Sequence, residues 1–68
     1  MVFYIKAKVA VKVRGISGVF NEVRSHLVHA NDSRDAQNKF ENRIRRDKEN
    51  AAPEDVNFEY LEIATEIF

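Results

Sequence analysis

Residues 2–14 alternate between apolar and polar side chains. The odd-numbered positions are apolar, whereas the even-numbered positions are mostly charged. Because neighbouring side chains of a β-strand point to opposite faces, this alternation predicts a long strand with one buried face. Two glycines in the segment 15–18 then predict a tight hairpin turn, since glycine readily adopts positive φ angles.

The segment 19–30 fits two patterns. Its apolar residues lie on one face of a helix, and they also fit a strand whose apolar phase changes between Leu27 and Val28. We favour a strand with a bulge near that change, because the preceding turn suits a hairpin and because valine, serine and histidine are mediocre helix formers. A sheet of only two strands would also be marginal in water. The alternative is a helix here, in a chain of order β-α-α-β.

Apolar residues with the spacing of helical turns predict one helix over residues 33–50. Asp32 or Ser33 can cap its first turn. The helix must end before Pro53, because the residue that precedes a proline is disfavoured in the helical conformation. Residues 56–67 return to the alternation of a strand. A change of apolar phase near Tyr60 and Leu61 predicts a bulge or a bend in this last strand.

This order of elements predicts a single α+β domain over residues 1–68 with the plan β-β-α-β. We expect a mainly antiparallel sheet of three strands in the order 2-1-3, with the helix on the face that carries the odd-numbered residues of the first strand. That strand is longer than the helix, so apolar side chains stay uncovered, and we expect a homodimer through the protruding hairpin or the free sheet face. The predicted core contains Phe3, Ile5, Val9, Val11, Val13, Val23, Leu27, Ala36, Phe40, Ile44, Phe58, Leu61 and Ile63.

Composition narrows the class of protein. The 68 residues include 11 basic and 11 acidic side chains and no cysteine. The missing thiols exclude disulfides and cysteine-based zinc sites, and they fit a reducing, cytoplasmic location. No apolar run reaches the length of a membrane span, and the zero net charge argues against a general binder of polyanions. We expect no cofactor and no membrane partner.

The sequence contains no arrangement that is typical of an active site. His26 and His29 are three residues apart, so on a strand they face opposite sides and cannot share a metal ion. The serines lie outside nucleophile motifs, and the glycines match no phosphate-binding loop. So small a domain also leaves little room for a substrate pocket. We predict that the chain is not an enzyme and binds no small-molecule substrate.

Two groups of basic residues are the candidate binding residues. Both could contact nucleic acid, because several RNA-binding folds combine cations with an aromatic ring on an open sheet face. The alternative is ion pairing with acidic neighbours across the sheet and along the helix. The first group lies on the polar face of the first strand and contains Tyr4, Lys6, Lys8, Lys12 and Arg14. The second lies on the helix and contains Arg43, Arg45 and Arg46. The acidic neighbours are Glu59, Glu62 and Glu66 on the last strand and Glu41, Asp47 and Glu49 on the helix.

The succession of strand, glycine turn, strand, capped helix and strand is similar to that of small ribosomal proteins, an archaeal type among them, and of phage accessory proteins. The resemblance is one of architecture, because the strongly basic character of the ribosomal proteins is missing here. It therefore implies a fold and transfers no functional residue.

The favoured function is a small protein-binding module. An adaptor or inhibitor of this kind, such as a phage or mobile element encodes, would act through an open sheet face or a strand edge. One alternative is an RNA- or DNA-binding domain that uses the two basic groups. The other alternative is a structural subunit of an oligomer with no further partner.

Overall fold

The computed structural model describes residues 1–65, which form three strands, one α-helix and a short 3-10 helix. β1 is the central strand and pairs antiparallel with β2 on one side and with β3 on the other. The predicted α+β plan and the strand order 2-1-3 are confirmed. Glu66 and Ile67, which the sequence pattern assigns to the last strand or its charge pairs, lie outside the described residues. The elements are β1 Val2–Val13, β2 Phe20–His29, α1 Ser33–Lys48, the 3-10 helix Glu49–Ala51 and β3 Pro53–Thr65.

The ambiguous segment is the strand β2. Its register with β1 runs without interruption from Val2 opposite His29 to Val11 opposite Phe20, so the predicted bulge in this strand is wrong. In this register each odd-numbered residue of β1 is opposite an even-numbered residue of β2. Since side chains that are directly opposite share a face, the even-numbered residues of β2 lie on the same face as α1.

This register corrects the predicted core. Val23 and Leu27 lie on the face away from the helix and are 56% and 62% exposed, respectively. Val28 is buried on the helix-covered face, and His26 packs beside it with its ring centroid 5.8 Å from that of Phe40. The register between β1 and β2 determines which residues of β2 are buried. A shift of one residue would have moved every side chain of β2 to the opposite face of the sheet.

β3 contains the bulge that the change of apolar phase predicts. Lys6 and Ala7 pair with Glu62 and Tyr60, which leaves Leu61 as an additional residue in β3. Leu61 is 52% exposed, so its predicted place in the core is wrong. Because of this additional residue, the side chains on the helix-covered face are at even-numbered positions of β3 before the bulge and at odd-numbered positions after it. A second register shift lies near the start of β3, between the partners of Lys12 and Val13.

α1 begins at the predicted cap and packs through the predicted stripe. The Asp32 carboxylate accepts a hydrogen bond of 2.8 Å from the backbone N–H of Asp35, which satisfies a donor that the first helical turn leaves free. The helix buries Ala36, Phe40 and Ile44 against the odd-numbered face of β1. The buried apolar residues are Phe3, Ile5, Ala7, Val9, Val11, Val28, Ala30, Ala36, Phe40 and Ile44.

The sheet extends beyond the helix at the end that carries the β1–β2 hairpin. The domain is 45 Å long, whereas the 16 residues of α1 account for about 24 Å of that length. A concavity of about 280 Å³ lies between the base of the hairpin and the end of the helix, with Val13, Phe20, Lys48 and Ala51 among its walls. Phe20 is 56% exposed at this end, so part of the helix-side face is uncovered, as the strand length predicts.

Candidate functional site

The face of the sheet opposite α1, which we call the open face, carries most of the first basic group. Tyr4, Lys6, Lys8 and Lys12 form one row along β1, because even-numbered residues of this strand point away from the helix. Lys8 and Lys12 are exposed, whereas Tyr4 and Lys6 are half-buried between their neighbours. Arg14 follows the end of β1 and is exposed in the turn.

Acidic residues of β3 flank the lysine row. Each lysine has an acidic residue as its cross-strand partner, so charges of opposite sign lie side by side along this half of the open face. The charges on this half of the open face therefore nearly cancel, but no salt bridge joins any of these cross-strand pairs within residues 1–65. Of the three acidic residues predicted to lie across the sheet, Glu66 is outside the described residues. In the register of β1 with β3, the cross-strand partners are Lys6 and Glu62, Lys8 and Glu59, and Lys12 and Asp55.

The helix arginines lie on the other side of the sheet and are not brought together with the lysine row. Arg45 donates to Glu41 across 3.2 Å and stacks over the ring of Phe58, with its guanidinium carbon 5.1 Å from the ring centroid. One N–H of its guanidinium group and one face of that group are thus engaged within the domain. Arg43 and Arg46 are exposed beside Asp47 in a shallow surface depression.

A polar network joins β2 to the helix. Arg24 donates to Asp47 across 3.0 Å, and the ammonium group of Lys48 lies 2.6 Å from a carboxylate oxygen of Glu22. The hydrogen bond from Lys48 lowers the pKa of Glu22, and the hydrogen bond to Asp47 raises the pKa of Arg24. Both charged residues of β2 are thus engaged by α1. Because both are at even-numbered positions, the open-face side of this strand has no carboxylate, lysine or arginine.

The two histidines lie on opposite faces of β2, as predicted. His26 is opposite Ile5 on the helix-covered face, and His29 is opposite Val2 on the open face. Burial lowers the pKa of His26, and the positive charges of Arg43 and Arg24 lower it further, so its imidazole is neutral near pH 7. Within residues 1–65 no three metal-ligating side chains come together at a site that could hold a metal ion.

The two edges of the sheet differ in how they are protected. β3 begins with Pro53, has two register shifts and exposes a series of carboxylates. Proline, bulges and charge are the features that prevent an edge strand from pairing with a further strand. The exposed acids of β3 are Glu54, Asp55, Glu59 and Glu62.

β2 lacks the proline, the bulges and the exposed carboxylates of β3, although the backbone carbonyl of His29 at its end accepts a hydrogen bond of 3.0 Å from Lys39 of α1. Its ten residues contain no proline and no glycine, and its register with β1 is unbroken. On the open face it exposes the apolar side chains of Val23 and Leu27 on either side of Ser25. In the described part of the chain no strand pairs with the outer side of β2. A regular, nearly uncharged edge of this kind is a template for a further strand.

Sequence reasoning misses this surface. It assigns Val23 and Leu27 to the core, because an apolar residue in a strand is more often buried than exposed. β2 has apolar residues at both odd-numbered and even-numbered positions, so its sequence pattern does not indicate which face is buried. The signal that is present in the sequence is the difference between the two edge strands, since the last strand has a proline and several acids, whereas β2 has no proline and a single acid, Glu22.

Comparisons of the chain with models of protein families, with curated proteins and with solved structures find no match. The class of the protein is therefore defined by the fold described above, a small α+β domain with an open sheet. The helix of residues 33–48 falls short of the length and apolar character that are needed to cross a membrane, and no other helix within residues 1–65 reaches them.

Proposed function

We propose that this chain is a small protein-binding module that adds a strand of its partner to the outer edge of β2. The observation that carries the proposal is the contrast between the two edges of the sheet. β3 combines Pro53, two register shifts and exposed carboxylates, whereas β2 is regular and displays Val23 and Leu27. In strand addition the backbone hydrogen bonds supply affinity and the alternate side chains supply specificity.

The partner strand is expected to be apolar on one side. Its side chains on the open face would contact Val23 and Leu27, which are more than half exposed without it. Burial of each such side chain contributes roughly 1.5–3 kcal/mol when it is complete. The partner is thus an extended segment with apolar residues at alternate positions, and its polar side chains would lie near Arg24 and Glu22.

The lysine row gives less support for binding of nucleic acid. Each lysine has an acidic cross-strand neighbour, and the helix arginines face the opposite direction. A phosphate that approached the lysines of β1 would therefore also meet the neighbouring carboxylates of β3. Arg43 and Arg46 remain as exposed cations, so the hypothesis of RNA or DNA binding stays a prediction for that side of the helix.

Site-specific photo-crosslinking tests the proposed function. A benzophenone amino acid replaces Ser25 on β2 in one variant and Asn57 on β3 in a matched variant, since both residues are exposed on the open face of an edge strand. The crosslinker is activated in cells that naturally make the protein. We expect a defined crosslinked product from position 25 and none above background from position 57.

A second substitution shows whether the product depends on the β2 edge. Leu27→Lys places a charge beside the expected partner strand and should abolish the product from position 25. Leu61→Lys is the control, because Leu61 is similarly exposed at 52% but lies on β3. Products of equal yield from positions 25 and 57, or a product that Leu27→Lys leaves unchanged, would contradict docking at β2.

A further inference from the structure

We infer that the strand which pairs with β2 is β2 of a second copy of this chain, in an antiparallel arrangement centred on Ser25. The inference rests on the proposed docking edge and names its occupant. The resulting dimer has a continuous sheet of six strands in the order β3-β1-β2-β2-β1-β3. It keeps the two helices on one face and joins the two open faces on the other.

Symmetry restricts the possible registers. A twofold axis perpendicular to the sheet pairs residues of β2 with residues of the same parity in the second copy, because paired side chains must share a face. Two such registers include all but one residue of the ten-residue strand. One is centred on Arg24 and the other on Ser25.

Charge selects between these registers. The register centred on Arg24 brings this guanidinium group opposite its own copy, and like charges that are directly opposite destabilise a sheet. The register centred on Ser25 places Arg24 opposite the partner's His26. Burial and the neighbouring arginines hold His26 neutral near pH 7, so no pair of like charges forms across the junction.

The register centred on Ser25 also covers the exposed apolar side chains. Val23 is then opposite the partner's Leu27, and Leu27 is opposite the partner's Val23. These four side chains surround the two serines on the open face, where each is more than half exposed in a single chain. The dimer therefore buries the apolar residues that the helix of one chain leaves in solvent.

Stacking of two open faces is a less favourable way to form the dimer. The lysine row follows β1, which is the central strand of the sheet. If two sheets stack through their open faces about a twofold axis that runs parallel to β1 and midway between the sheets, Lys8 and Lys12 lie against the same lysines of the second copy. Pairing at the β2 edge avoids this repulsion, because each lysine row stays in solvent on β1 and is separated from the junction by β2.

The experiment begins with the molecular mass of the purified chain in sedimentation equilibrium. We expect a mass of twice the 7.9 kDa of one chain. Leu27→Lys should weaken self-association by about tenfold or more, because it places charge in the apolar cluster at two symmetric positions. Leu61→Lys, which is the control at the other edge, should leave the dimer unchanged. A monomer at all concentrations overturns the inference.

Single cysteines locate the junction, since the natural chain has none. Ser25→Cys and Asn57→Cys are treated with a short crosslinker that joins two thiols. In antiparallel pairing the two residues at the symmetry axis have Cβ atoms about 4.5–5.5 Å apart. We expect Ser25→Cys to give a covalent dimer in high yield and Asn57→Cys to stay monomeric under denaturing conditions. Equal yields would overturn the inference.

The photo-crosslinking experiment separates the two proposals. A product from position 25 that consists of two copies of this chain supports both of them. A product from position 25 that contains only a different protein, together with a monomeric purified chain, overturns the dimer and leaves docking at β2 intact. No product from position 25 and a monomeric chain would overturn both.

Discussion

Tyr60 of β3 donates a hydrogen bond from its hydroxyl group to a carboxylate oxygen of Glu41 on α1. The same glutamate accepts from Arg45, so one acidic residue joins the last strand to two turns of the helix. The Tyr60 ring lies 6.2 Å from the ring of Phe40 and 6.5 Å from that of Phe58, measured between centroids. Polar and apolar contacts together hold β3 under the helix, although its edge faces solvent.

The Tyr60 hydroxyl should ionise only at a pH well above the ordinary range for tyrosine. Burial raises its pKa, and the hydrogen bond to the carboxylate of Glu41 raises it further, because both disfavour the phenolate. An ultraviolet absorbance titration of phenolate formation measures this. The titration curve of the variant Tyr60→Phe should lack only the ionisation step at the highest pH. Loss of a step at lower pH instead would contradict the contact.

Glu22 should contribute to stability at neutral pH and lose that contribution in acid. The hydrogen bond from Lys48 lowers the pKa of Glu22 below the ordinary value of 4.5, so the contribution is complete above about that pH and disappears as the pH falls through the lowered pKa of the folded state. Because the ion pair is partly solvated, the effect is less than about 1 kcal/mol. Urea unfolding at pH 7 and at pH 3 measures it.

The control for this prediction is Glu22→Gln, which keeps the shape of the side chain. We expect Glu22→Gln to be less stable than the natural chain at neutral pH and equally stable in acid. A difference between the two proteins that grows as the pH falls would contradict the assigned sign.

Asp32→Ala should destabilise the domain by about 1 kcal/mol through loss of the helix cap. Asp32 accepts a hydrogen bond from the backbone of Asp35, and the Asp35 carboxylate accepts in return from the backbone N–H of Asn31. Urea unfolding followed by circular dichroism measures the change. Asp32→Asn is the matched control, because asparagine caps about as well as aspartate and should retain most of the stability.

Ala52→Gly should stabilise the domain. Ala52 has a φ of +47° and a left-handed backbone conformation, which costs a residue with a Cβ atom roughly 1–2 kcal/mol. Glycine avoids this cost but gives the unfolded chain more freedom, so we expect a net gain of about 0.5–1 kcal/mol in the free energy of unfolding. The thermal midpoint measures it.

Ala51→Gly provides the comparison for this substitution. Ala51 is exposed and ends the 3-10 helix, and it has no positive φ to relieve. The same exchange should therefore lower stability there. If both variants behaved alike, the gain could not be assigned to the left-handed conformation of Ala52.

The sequence pattern predicts most of the fold for clear physical reasons. The strict alternation in β1 has a single interpretation, and the helix has both a capping residue and a regular apolar stripe. The bulge near Leu61 is also visible, because the apolar residues of β3 change parity at that point. These features depend on neighbours within one element, so the order of residues alone contains the information.

The two basic groups that the sequence singles out lie on different surfaces of the domain. The row of Tyr4, Lys6, Lys8 and Lys12 lies on the open face as expected, since it follows from the same alternation that defines β1. The helix arginines belong to a different surface, because the helix packs on the opposite side of the sheet. Val23 and Leu27 could not be recognised as surface residues, since their exposure depends on how β2 is aligned with β1.

The amino-acid order by itself determined that the first and last segments form strands with a helix between them, where the cap lies and which face of the central strand is buried, because these patterns repeat along the chain. It left the segment 19–30 open between a strand and a helix, and the structure shows it as β2. Only the tertiary structure decided the face on which β2 displays its apolar side chains and which sheet edge stays regular. Both depend on the pairing register, which arises from contacts between residues far apart in the chain.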